Sequence, residues 1–147
     1  MIDGVIITPL KQIHDERGAV YHMLRSDSPN FVNFGELYFS VVNPGIAKGW
    51  NRHKKMITNL SVIKGKLALV LVDLRSGSST EGEVQEIILG SDPDIYQLVT
   101  VPNMIWTGSK CLSDEPAILA NCASIPHDPE EAEKLFLKNS VIPYDWS

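Results

Sequence analysis

Nine short runs rich in β-branched and aromatic residues, with turn residues between them and no helical period, constrain this chain most. They cover 5–8, 19–24, 37–42, 46–53, 57–63, 66–74, 84–89, 97–101 and 118–123. Glu16-Arg17-Gly18, Asn43-Pro44-Gly45, Lys64-Gly65, Ser76-Gly77-Ser78, Ser91-Asp92-Pro93 and Pro102-Asn103 punctuate them. Proline withdraws a backbone donor and glycine admits turn angles, so these clusters end strands. Strands in such close succession predict an antiparallel sandwich or barrel. One short C-terminal helix is expected, with Asp128 as its cap and Pro129 in its first turn. Glu130, Glu131 and Glu133 would favour its positive end, and Ala132, Leu135 and Phe136 would form its apolar stripe.

Leu67-Ala-Leu-Val-Leu-Val72 is apolar at every position, which predicts cover on both faces of that strand. A partner subunit is one source of the second cover, which favours a homodimer. At 147 residues the chain is expected to form a single domain over 1–147. A net charge of −5 argues against nonspecific nucleic-acid binding, which needs a basic surface. No apolar run approaches a membrane span and no basic-then-apolar leader opens the chain, so a cytoplasmic location is expected. Cys111 and Cys122 are expected to be free thiols.

Within this acidic protein, Lys48-Gly-Trp-Asn-Arg-His-Lys-Lys55 gathers Lys48, Arg52, Lys54 and Lys55 into eight positions. Such a cluster suits a phosphate or carboxylate ligand, or serves as a solvated edge strand. Strand alternation places Asn51 and His53 on one face, with Trp50 and Arg52 on the other. With Asn51 and His53 inward, Asn59 and Ser61 on the following strand would share their face and make a polar pocket. Trp50 and Trp106 are candidate walls for a sugar or base ring, Tyr38 a candidate hydroxyl donor, and Arg75, after Asp73, either a phosphate contact or a surface ion-pair residue at a strand end. A barrel metal site needs several converging His or carboxylate ligands. The corresponding places hold Asn51, His53, Asn59 and Thr107, one ligand in four, so neither a metal nor another cofactor is expected.

The chain resembles the cupin family of dTDP-4-dehydrorhamnose 3,5-epimerases and their short sugar-epimerase relatives. The resemblance runs through Asp15-Glu-Arg-Gly18, Lys48-Gly-Trp-Asn-Arg-His-Lys54, Val72-Asp-Leu-Arg75, Ser78-Ser-Thr-Glu-Gly82 and Leu98 to Pro102. It continues in Ala120-Asn-Cys-Ala-Ser-Ile-Pro-His-Asp-Pro129 and Ile142-Pro-Tyr-Asp-Trp146. It implies an all-β jelly-roll homodimer, free of metal, acting on a nucleotide-diphosphate sugar of the 4-keto-6-deoxy type in deoxysugar or surface polysaccharide biosynthesis. The family uses a histidine base assisted by an aspartate, a tyrosine acid, a lysine near the keto oxygen, and arginines on the diphosphate.

Carried across, Arg17 and Lys48 match nucleotide- and diphosphate-binding positions, and His22 stands where a nucleotide-contacting glutamate is expected. Asn51 occupies the catalytic histidine position with His53 two residues on, Asn59 stands for the lysine, and Asn139 lies near the aspartate. No tyrosine occurs between Ala117 and Ser124. An amide cannot act as a base, which leaves His53 as the expected proton-transfer group, with Arg52, Lys55, Trp50, Trp106 and Tyr38 around the substrate. A 3,4-ketoisomerase, a non-catalytic sugar-nucleotide binder and a scaffold cupin are the alternatives.

Overall fold

The computed structural model describes residues 1–147. Twelve strands follow in order: β1 Ile6–Pro9, β2 Gln12–Asp15, β3 Gly18–Tyr21, β4 Glu36–Val42, β5 Ala47–His53, β6 Thr58–Lys64, β7 Lys66–Asp73, β8 Val84–Gly90, β9 Gln97–Val101, β10 Ile105–Cys111, β11 Ala117–Ala123 and β12 Ala132–Lys134. Two five-stranded sheets form, ordered β1-β9-β6-β11-β4 and β12-β5-β10-β7-β8, while β2 and β3 make a separate hairpin. Every pairing is antiparallel. This is the all-β sandwich expected from the strand spacing. No helix is long and apolar enough to cross a membrane.

Alternation along β7 explains both hydrophobic clusters. Leu67, Leu69 and Leu71 point between the sheets, where they meet Leu60, Val62 and Val99. Val70 and Val72 point the other way, against Trp50, Trp106 and Ile142, with Leu135, Tyr144 and Trp146 packed around them. The run without polar residues is therefore covered on both faces, and the second cover is the chain's own C-terminal segment, not the partner subunit the sequence suggested. Each fully buried aliphatic side chain contributes roughly 1.5–3 kcal/mol.

Where a C-terminal helix was expected, the chain makes one turn and a strand. Asp128 does cap that turn, its Oδ1 accepting from the Glu130 amide at 3.0 Å. The backbone then leaves helical geometry, because the open edge of β5 offers pairing partners. β12 takes them, with Ala132 opposite His53, Glu133 opposite Arg52 and Lys134 opposite Asn51. Unpaired backbone groups at a sheet edge are costly to leave dry, and a helix here would leave them so. Two strands had no expectation in the sequence: β2, and β10 at the centre of the second sheet.

Candidate active site

A cavity of about 170 Å³ opens between the sheets, with Tyr38, Lys48, Asn51, His53, Thr107 and Asn121 among its walls. Lys48 and Asn51 are three residues apart, and strict alternation would send them to opposite faces. A bulge resolves this: Thr107 pairs with Asn51 but Ser109 pairs with Lys48, so β5 carries one extra residue against β10. The bulge turns Lys48, Asn51 and His53 toward one space.

His53 is held from behind by a carboxylate. Its Nδ1 lies 2.8 Å from Oε1 of Glu131, while Oε2 of Glu131 accepts from the amides of Lys55 and Met56, each at 2.9 Å. The Glu131 side chain is 4% exposed. Burial pushes its pKa up, but the two amides and His53 together outweigh burial and hold it below the ordinary glutamate value. A carboxylate fixed on Nδ1 sets the ring's orientation and leaves Nε2 as the nitrogen without a protein partner.

The facing sheet contributes a phenol. Tyr38 on β4 and Asn121 on β11 are directly opposed, and the Asn121 Nδ2 donates to the Tyr38 hydroxyl at 2.7 Å. Burial, with Glu36 nearby, raises the Tyr38 pKa. Lys48 reaches across to the same strand, its Nζ donating to the Val41 carbonyl at 2.6 Å and to Ser40 Oγ at 3.3 Å. No cluster of three or more His, Cys, Asp or Glu side chains suited to a metal occurs.

Several expected site residues lie elsewhere. Trp50 is fully buried on the outer face of β5, its Nε1 donating to the Leu137 carbonyl at 3.3 Å. Trp106 sits in the same outer cluster. Arg52 lies beside it, its guanidinium 4.7 Å from the Trp106 ring centroid and its Nε 2.6 Å from Glu133. Alternation had put Trp50 and Arg52 opposite His53, and that opposition removes both from the cavity, where Trp106 is absent as well. Lys55 offers its backbone to Glu131 while its side chain is exposed.

Asn59 faces away because Thr58 and Leu60 are the residues of β6 that line the cavity. It is buried on the far side, accepting from Thr100 Oγ1 at 2.6 Å and donating to the Asn30 carbonyl at 3.4 Å. Arg17 stands at the tip of the β2–β3 hairpin, 83% exposed and paired with Asp15. His22 is exposed just after that hairpin, and its carbonyl accepts from Tyr96. Arg75 pairs with Asp73 and donates to the Asp3 carbonyl at 2.7 Å, which ties down the N-terminus. Asn139 caps the Phe136 to Ile142 loop instead of supporting a histidine. The carboxylate behind the histidine is Glu131, hidden in the sequence among helix-like acidic residues.

A histidine with a carboxylate behind it, a protonated phenol on the opposite wall, and nearby ammonium and amide donors suit proton transfer next to a carbonyl. Several known proteins are similar to this chain. A dTDP sugar isomerase from Desulfovibrio desulfuricans G20 superposes with a TM-score of 0.96 at 41% identity, over 99% of this chain and 92% of that one. A dTDP-6-deoxy-D-glucose-3,5-epimerase from Legionella pneumophila Philadelphia 1, solved with dTDP-4-keto-L-rhamnose, gives 0.80 at 25% identity, over 92% and 75%. The "Probable low-salt glycan biosynthesis epimerase Agl13" of Haloferax volcanii is 30% identical over 98% of this chain and 89% of its own length. The Bacillus subtilis spore coat polysaccharide biosynthesis protein SpsL is 26% identical, over 100% and 97%. With the sequence model of that family matching residues 1–147, and with the sandwich and its central cavity in place, the chain belongs to the dTDP-4-dehydrorhamnose 3,5-epimerase family.

Proposed function

We propose that the protein is an epimerase acting on a dTDP-linked 4-keto-6-deoxyhexose, in the synthesis of a deoxysugar for a polysaccharide. The observation that carries this reading is the His53–Glu131 pair on the cavity wall. His53, as the base, removes a proton from the carbon beside the ketone. The C–H electrons pass to the keto oxygen, and Glu131 stabilises the imidazolium that forms. Lys48 and Asn51 on the same wall supply positive charge and N–H donors for the enolate oxygen or the diphosphate. Asn51 donates to oxygen but takes no proton, so it serves binding and polarisation.

The working unit in this reading is a homodimer. Leu37, Phe39 and Val41 lie 50–57% exposed on the outward face of edge strand β4. Arg17, exposed at the hairpin tip and outside the walls of its own cavity, would meet the nucleotide across such an assembly.

Proton exchange tests the reading. Incubated with dTDP-4-keto-6-deoxyglucose in deuterated water, the protein is expected to place deuterium at C3 or C5. His53→Ala is expected to lower that exchange by about 10²–10⁴-fold while dTDP still raises the melting temperature. Exchange that survives in His53→Ala sinks the assignment. A thermal shift with dTDP but no exchange by the wild type would point to a sugar-nucleotide binder without turnover.

A further inference from the structure

Epimerisation needs a proton delivered from the face opposite to the one that lost it, and the strand Ala117–Ala123 offers no phenol for that task. It offers Asn121 instead. Asn121 is 7% exposed, lines the cavity and spends its Nδ2 hydrogen on the oxygen of Tyr38. A phenol oxygen that accepts a hydrogen bond keeps its own O–H free to point elsewhere. The Asn121 Oδ1 is buried without any partner, so the proton of the Tyr38 hydroxyl is the polar group of the pair left free to meet a ligand. Tyr38 and His53 belong to different sheets and line the same space, so a sugar ring held between them meets the imidazole from one side and the phenol from the other.

From this arrangement we propose that Tyr38 is the catalytic proton donor opposite His53, and that Asn121 is the residue that positions it. The inference rests on the epimerase reading above. In the step, His53 Nε2 takes the proton from the substrate carbon and the electron pair of that bond forms the enolate. The enolate carbon then takes the proton of the Tyr38 hydroxyl on its other face, and the ketone reforms. The tyrosinate left behind takes a proton from solvent and the imidazolium releases to solvent the proton it took, so both groups return to their starting states. A partly buried phenol with a raised pKa stays protonated through the neutral range, as a donor must. The phenol thus comes from β4 and the amide from β11, two neighbouring strands in register.

The test separates removal of the proton from its delivery. With dTDP-4-keto-6-deoxyglucose in deuterated water, NMR reads exchange and inversion at each carbon independently. Tyr38→Phe is expected to keep deuterium exchange, since His53 returns a deuteron to the face it came from, while inversion falls by about 10²-fold or more. Asn121→Asp offers a carboxylate that accepts the Tyr38 proton and turns the phenol away from substrate. It is expected to lower kcat for inversion with KM and exchange retained, and its folding is checked by its melting temperature. Inversion at the wild-type rate in Tyr38→Phe overturns the proposal. So does loss of exchange together with inversion in that variant, which would make Tyr38 part of the base. A wild-type protein that neither exchanges nor inverts overturns the epimerase reading and this inference with it.

Discussion

Glu131 is buried where a carboxyl would ordinarily prefer to be neutral, yet three donors keep it ionised. Its folded pKa lies below the ordinary 4.5, so the unfolded chain binds a proton more readily than the folded one. Its contribution to stability is therefore present above that ordinary value and is lost as the pH falls through the lowered folded value. Glu131→Gln is expected to cost about 2–3 kcal/mol at neutral pH, the range for hydrogen bonds to a buried charge. It should also flatten the acid side of the stability profile measured by urea unfolding at a series of pH values. Identical profiles for variant and wild type would mean that Glu131 does not anchor His53. His53 was legible from strand alternation, because its neighbours fix its face. Glu131 was not, because Asp-Pro-Glu-Glu reads locally as a helix start and only the open edge of β5 makes it a strand approach. Asn59 failed for a related reason: the Lys54–Ile57 connection sets the phase of β6, and no local pattern reveals that phase.

At the scale of elements, β5 shows how one strand serves two layers. Its inner residues line the cavity, and its outer residues anchor the C-terminal segment. The Trp50 and Leu135 backbones bond reciprocally at 2.9 and 3.1 Å, and the Trp50 ring lies 5.1 Å from that of Trp146. Close approach is possible because Gly108 lies beneath: a Cβ there would come within 2.7 Å of the Trp146 ring. The same Gly108, followed by Ser109 and Lys110, obscured β10 in the sequence by interrupting its apolar pattern. The run of β7 was legible because both its faces are apolar, whereas the bulge in β5 depends on register with β10 and has no local signature. Trp50→Ala is expected to lower the unfolding free energy by about 3–5 kcal/mol, the usual cost of emptying a buried aromatic site. Chemical denaturation measures it. A loss below about 1 kcal/mol, accompanied by weaker dTDP binding, would return Trp50 to the ligand.

Viewed whole, the sandwich has two outer faces that are covered unequally. The C-terminal segment closes the face behind β5, β10 and β7. Behind β6 and β9, the Asn30 side chain bonds Thr8 and its carbonyl accepts from Asn59, so an N-terminal segment covers that half. Behind β4 nothing in the chain does so: Tyr38 and Ser40 turn inward, and Leu37, Phe39 and Val41 are left outward on an edge strand. An exposed apolar edge invites pairing, and a second copy of the chain can satisfy it by two-fold symmetry. The sequence suggested a homodimer from the apolar run of β7, and that run is covered internally. The bare face is on β4, where alternation with Tyr38 and Ser40 made the pattern look like an ordinary half-buried strand. Phe39→Glu places a charge on each side of a symmetric contact, where like charges face one another and lose water. It is expected to raise the dimer dissociation constant by at least about 10²-fold, seen by analytical ultracentrifugation, with the melting temperature of the separated subunit still cooperative. The neighbouring Tyr38 lies on that strand, so a dimer that braces β4 should also brace the phenol. Inversion in the Phe39→Glu monomer should then fall while deuterium exchange at His53 persists. A wild-type protein that sediments as a monomer at micromolar concentration, or a Phe39→Glu variant that remains dimeric, would place the assembly elsewhere.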